Sequence, residues 1–94
     1  MILTKGMTSL YVEIKHDEMS EKTGNYCLEQ KSLEHTTSQF LIIGTRQEAY
    51  ILSMDQAREL FNQYPHRQVG DFYDNFAALV PRQIFALNYQ RLAA

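Results

Sequence analysis

From Ser9 to His16 the chain alternates strictly between apolar and polar positions. Leu10, Val12 and Ile14 fall on one side of an extended backbone, and Tyr11, Glu13 and Lys15 on the other. A period of two marks a half-buried strand, so residues 9–16 read as the first strand, with Leu10, Val12 and Ile14 in the core. The polar stretch DEMSEKTGN (17–25) ends in Gly24-Asn25 and reads as an exposed loop or long turn. Residues 26–31 repeat the alternation more weakly, with Tyr26 and Leu28 facing in and Cys27 and Glu29 facing out. A helix through LEQKSLEH competes for these residues. It would have only Leu28 and Leu33 to bury, so the strand is preferred and 32–38 is read as a loop. QFLIIG (39–44) is a continuous apolar run, which fits a central strand covered on both faces. A turn at 44–48 then returns the chain along 49–53 as the second arm of a hairpin.

At Ser53 the period changes to that of a helix. The Ser53 hydroxyl can accept the Gln56 amide while the Gln56 side chain reaches back to the Ser53 amide, a capping box. Asp55 places a negative charge in the first turn, where the helix dipole favours it. Met54, Ala57, Leu60, Phe61 and Tyr64 form one stripe over 54–64, and Pro65 stops the helix. Residues 65–70 read as a linker. Asp71 can cap a second helix, 71–80, with Phe72, Phe76 and Leu79 on one stripe and Tyr73, Ala77 and Val80 beside it. Pro81 suits the start of a third helix, 82–92, although Phe85, Leu87 and Tyr89 also alternate as in a strand. The order implies an α+β domain spanning 1–94: an antiparallel four-stranded meander (about 9–16, 26–31, 39–44, 49–53) followed by two or three helices packed on one face. Its expected core is Leu10, Val12, Ile14, Leu41, Ile43, Ile51, Leu60, Phe61, Phe72, Phe76 and Leu79.

Composition narrows the function classes. A 45% apolar and 21% charged chain of 94 residues is globular, and its net charge is −2. All four lysines lie in residues 1–45 beside six acids, and all five arginines lie in 46–94 beside five acids. Neither half is the basic footprint that nucleic acid requires. Cys27 is the single cysteine, which excludes an intrachain disulfide and fits a reducing compartment. No apolar run reaches the ~18–20 residues of a membrane-spanning helix, and the first residues lack a secretory h-region and cleavage site. A cytoplasmic protein is expected.

No pattern supports a chemistry. His16, His35, His66, Cys27, Asp17 and Glu18 contain no CxxC, HxxxH or HExxH spacing, so no metal site is expected. Cys27 in a strand reads as a small apolar filler rather than a nucleophile. Gly44-Thr45-Arg46 reads as turn chemistry rather than a phosphate cradle, and Asp71 and Asp74 as helix-start residues. No catalytic residue and no cofactor is expected.

A strand at 49–52, a helix at 54–64, a link with Gly70 and a helix at 71–80 resemble the order found in ribbon-helix-helix DNA-binding proteins. The resemblance covers residues 45–80 and is topological only. Such proteins read the groove with polar and basic strand residues, whereas Ala49, Tyr50, Ile51 and Leu52 are built for burial. The better hint is aromatic: Tyr64, Arg67, Tyr73 and Tyr89 have the composition of an interface patch on the helical half. The expected function is therefore a non-enzymatic protein-interaction module, a homodimer or the binder of another protein. A strand pair with a Ser-capped helix is common in small reading frames of mobile elements. The alternatives are a ribbon-helix-helix-like regulator and a small-ligand binder or enzyme with a pocket between sheet and helices.

Overall fold

The computed structural model describes the backbone of residues 2–5, 8–69 and 75–92, and side chains from residue 11 onward. The elements run β1 (Ile2–Lys5), β2 (Thr8–His16), α1 (Ser20–Thr23), β3 (Asn25–Glu29), α2 (Gln30–His35), β4 (Phe40–Gly44), β5 (Ala49–Ser53), α3 (Met54–Gln63), β6 (His66–Val69), β7 (Asn75–Pro81), α4 (Arg82–Asn88) and β8 (Gln90–Arg91). The domain is α+β, with two sheets rather than one meander. The principal strands of the first are ordered β2-β4-β5-β8, extended by β1 along the first half of β2. The second is β3-β7-β6.

The expected antiparallel meander is corrected at β2 and β4, which pair in parallel with Val12 beside Phe40 and Ile14 beside Ile42. Parallel neighbours need a crossover, and α1, β3 and α2 supply it. The crossover strand β3 leaves for the second sheet, where it pairs antiparallel with β7. The hairpin β4–β5 forms in register, Leu41 opposite Leu52 and Ile43 opposite Tyr50. Gly44 is required there, because a Cβ on it would lie 2.2 Å from the Glu48 carbonyl oxygen and 2.6 Å from Ala49 Cα. The capping box of α3 is complete: Gln56 N–H donates to Ser53 Oγ (3.1 Å) and Ser53 N–H to Gln56 Oε1 (2.9 Å).

Four other expectations change. Residues 30–35 form α2 rather than strand end and loop. This helix buries Leu33 alone, and its C-terminal turn is held by Arg58, whose Nε and Nη2 both donate to the Leu33 carbonyl (3.3 and 3.1 Å). The 65–70 linker contains strand β6. The expected helix 71–80 is strand β7 from Asn75 onward. Its buried residues are Ala77, Ala78 and Val80, consecutive enough to cover both faces, as a central strand between β3 and β6 must be. The last helix stops at Asn88, and Gln90–Arg91 pair with β5 at Ile51 and Tyr50. The strand-helix-helix order of residues 45–80 is therefore not formed.

The core lies between the sheets. Leu41, Ile43, Tyr50 and Leu52 face it from the first sheet, Tyr26, Leu28, Ala78 and Val80 from the second. Helix α3 inserts Met54, Ala57 and Leu60 and packs against strands of both sheets instead of one face of a single sheet. Leu33 and Phe85 close the ends. Leu41, Ile43 and Leu60 are buried in this core as expected; Val12 is buried too, but on the outward side of β2 beside Phe40. Ile14 is not: it is 52% exposed, because Glu13 and Lys15 share the inward side of β2 with Leu41 and Ile43. Ile51 pairs with Ile42 on the outward side, leaving Tyr50 and Leu52 to face the core. Phe76 is 37% exposed, and Leu79 and Phe61 are half-buried. Phe72 lies outside the described residues, as does the Leu10 side chain. No helix among the described residues is long and apolar enough to cross a membrane.

Candidate functional site

The most elaborate polar cluster centres on Glu48, at the end of the β4–β5 turn. Two core tyrosines drive it, because a buried phenol needs a hydrogen-bond partner. Tyr26 on β3 and Tyr50 on β5 are almost fully buried, and their hydroxyls donate to Glu48 Oε1 (2.9 Å) and Oε2 (3.1 Å). Arg82, the first residue of α4, donates to the same Oε1 from Nε (2.9 Å) and Nη2 (2.8 Å). Its guanidinium also lies 6.0 Å from the Tyr26 ring centroid. The Arg82 amide donates to the Gly24 carbonyl (2.9 Å), and Gly24 takes the left-handed conformation that ends α1. Tyr26, Tyr50 and Phe85 pack edge-on or tilted, with centroids 4.9–6.4 Å apart.

The electrostatics follow from this geometry. Burial alone would raise the Glu48 pKa, but the hydrogen bonds from Arg82, Tyr26 and Tyr50 outweigh it and hold the carboxyl below its ordinary value. Burial, then the Glu48 carboxylate, push the hydroxyls of Tyr26 and Tyr50 up. The hydrogen bond to Glu48 raises the pKa of Arg82. The cluster is an ion pair satisfied from three sides. A cleft of about 460 Å³ opens beside it between Gly24, Tyr50, Pro81, Arg82, Gln83 and Ala86. Glu48 and Tyr50, which border the cleft, are engaged with each other.

A second feature is the outward face of the first sheet. Register places Ile14, Ile42 and Ile51 in one row across three neighbouring strands, with Val12 and Phe40 in the next. Val12 is buried, Ile14 is exposed, and Phe40, Ile42 and Ile51 are partly exposed. These five positions carry no charge.

Of the residues expected to share one helical surface, Tyr64 and Tyr89 lie near each other, and Arg67 stands on a strand. Tyr64 and Tyr89 pack against the edge of the core. Burial, with Glu59 and Tyr64 nearby, pushes the Tyr89 hydroxyl up. Arg67 sits on β6, exposed, next in sequence to His66. His66 stacks on Phe61 of α3 at 4.0 Å and donates to its carbonyl, so Arg67 points to the opposite face of the strand. Tyr73 lies outside the described residues. Cys27 is half-buried, and burial followed by the Asp17 carboxylate pushes its thiol up, away from nucleophilic character. No three His, Cys, Asp or Glu side chains converge among the described residues.

Sequence reasoning missed Glu48 and Arg82 because they stand 34 positions apart. The available signal was the pair of inward-facing tyrosines, each of which demands an acceptor. The outward isoleucine row could not be read, because it depends on which strands become neighbours.

Fold and cluster define a small two-sheet α+β domain pinned by a carboxylate–tyrosine–arginine network. Comparison with protein-family models, curated proteins and solved structures finds no match.

Proposed function

We propose that this protein is a non-enzymatic interaction module whose contact surface is the outward face of the mixed sheet and whose partner is a second copy. The observation that carries the reading is the uncharged Ile14–Ile42–Ile51 row flanked by Phe40. Sheets bury such faces against another layer. A two-fold axis along the row would set isoleucine on isoleucine, an isologous contact that needs no complementary chemistry from another protein. Size limits its strength. Four strands about 4.8 Å apart and five residues about 3.3 Å each make a face of roughly 300 Å². Stable interfaces bury about 800 Å² per partner, so the association is weak and concentration-dependent.

Catalysis is disfavoured by the state of the polar cluster. A general base or acid near neutral pH needs a raised carboxyl pKa and a free oxygen, and Glu48 offers neither. The ligand-pocket reading weakens for the same reason. Arg46, Arg58 and Arg82 each pair with an acid, which does not favour nucleic acid. The unpaired thiol suits the cytoplasm.

Sedimentation from about 10 μM to 1 mM tests the reading. The weight-average mass should rise with concentration, and Ile42→Lys should abolish the rise without unfolding the chain, because Ile42 points outward. A strict monomer throughout, or an Ile42→Lys variant that still associates, would refute it.

A further inference from the structure

Beside Cys27 the two sheets are joined by side chains alone. The Cys27 amide donates to Asp17 Oδ2 (2.9 Å) and its carbonyl accepts from Lys15 Nζ, and no ladder joins β2 to β3. Next to this contact a cleft of about 230 Å³ opens between the sheets. Leu28, Leu33 and Leu41, all buried members of the core, form its apolar wall. Glu13 and Lys15 enter it from β2, Glu29 from β3 and Ser32 from α2.

These four polar side chains are not equivalent. Lys15 is committed to the Cys27 carbonyl and to Glu29 at 3.5 Å, and Asn75 Nδ2 reaches the other Glu29 oxygen at 3.5 Å. Glu13 and Ser32 are half-buried. Among the described residues no hydrogen bond or ion pair engages the Glu13 carboxylate or the Ser32 hydroxyl. A carboxylate drawn part-way out of water costs free energy that a partner offsets. The fold gives Glu13 no such partner, although its register neighbour is the buried Leu41, beside which an apolar side chain would suit better. With Lys15 neutralised by Glu29, the charge left facing the cleft is that of Glu13.

We propose that this cleft binds a compact organic ammonium ion. Glu13 and the Ser32 hydroxyl accept from the ammonium, and the apolar body of the ligand lies along the leucine wall. The volume sets the size. At the ~30 Å³ that one water takes in the liquid, the cleft holds about eight non-hydrogen groups. That is below the roughly 300–1,000 Å³ of sites for drug-sized molecules and suits a small amine. An anion would meet a lining with two carboxylates and one ammonium, and a neutral molecule would leave Glu13 unpaired. The site shares no residue with the cleft beside Glu48 and does not depend on association through the outward face.

Amide NMR titration of the full chain with cyclohexylammonium, cyclohexanol and cyclohexanecarboxylate at equal ionic strength tests the proposal. The three probes share a ring and differ in charge. At the efficiency of small ligands, cyclohexylammonium should shift the Glu13, Ser32 and Leu33 amides saturably with a dissociation constant of about 1 mM. The alcohol and the carboxylate should bind at least about tenfold more weakly, as should cyclohexylammonium to Glu13→Gln. Glu34→Gln, which removes an exposed acid of α2 outside the cleft, should leave binding unchanged. Glu13→Leu should lose binding and melt at a higher temperature, a combination that a carboxylate retained for folding does not give. No saturation by about 20 mM, equal affinity for cyclohexanol, binding that persists in Glu13→Gln, or a lower melting temperature in Glu13→Leu overturns the proposal. The probe comparison uses the parent chain, so it decides the matter even if a variant does not fold.

Discussion

Replacing Glu48 with alanine should be among the most damaging single changes away from the apolar core. The substitution removes the acceptor of two phenols that are 0% and 2% exposed as residues. Stranding a buried donor costs about 1–3 kcal/mol, so the two tyrosines set a range of roughly 2–6 kcal/mol. Two effects pull the value down. Arg82 is about a quarter exposed and can turn its guanidinium to water. The adjoining cleft of about 460 Å³ lets water approach the vacated carboxylate site. The expected loss is therefore about 2–4 kcal/mol, against a total stability on the order of 5–14 kcal/mol for a domain of this size. Urea titration followed by circular dichroism measures it. With a slope of about 1–1.5 kcal/mol per molar, the midpoint should fall by roughly 1.3–4 M. Tyr26→Phe and Tyr50→Phe each remove a donor while leaving the carboxylate its other partners, and should cost about 1 kcal/mol or less. The decisive comparison is the triple variant. Once both hydroxyls are gone, Glu48→Ala has little left to strand, so its additional cost should drop to about 1 kcal/mol. A Glu48→Ala loss under about 0.5 kcal/mol, or strict additivity in the triple variant, would show that the network is not what holds turn, β3 and α4 together.

Acid should expose the same ion pair. The folded pKa of Glu48 lies below its ordinary value of 4.5, so its contribution is fully present above 4.5 and is lost as pH falls through the lower folded value. Thermal melts between about pH 6 and 3 should show a steeper acid decline in the parent than in Glu48→Gln, and matching slopes would contradict the assignment. Gly44→Ala should cost more than about 2 kcal/mol, because the new methyl carbon meets backbone on two sides at 2.2 and 2.6 Å; a melting shift of less than ~5 °C would mean the hairpin has room to adjust. Arg58→Ala should loosen α2 by about 1 kcal/mol through the lost Leu33 carbonyl bonds, while Asp55→Ala should be nearly silent, because that surface pair contributes little. Hydrogen exchange at α2 amides separates the two effects.

The sequence by itself determined every element whose cause is local. The capping box at Ser53–Gln56, the stop at Pro65, the β4–β5 hairpin and the alternation of β2 each depend on residues a few positions apart, and each forms where it was read. What only the tertiary structure decided is which side of a strand is covered and which strands become neighbours. Ile14 shows the difference. Its alternation was legible, but the inward side of β2 belongs to Glu13 and Lys15, because the adjacent β3 edge needs polar partners more than the core needs another isoleucine. Residues 75–81 show it again. A run rich in alanine suits a helix, yet a central position between β3 and β6 buries Ala77, Ala78 and Val80 on both faces, and small side chains let three strands and α3 approach closely. The Glu48 network is the same case in polar form. Each residue is unremarkable alone, and the burial of two phenols beside one carboxylate exists only after the two sheets have closed on each other.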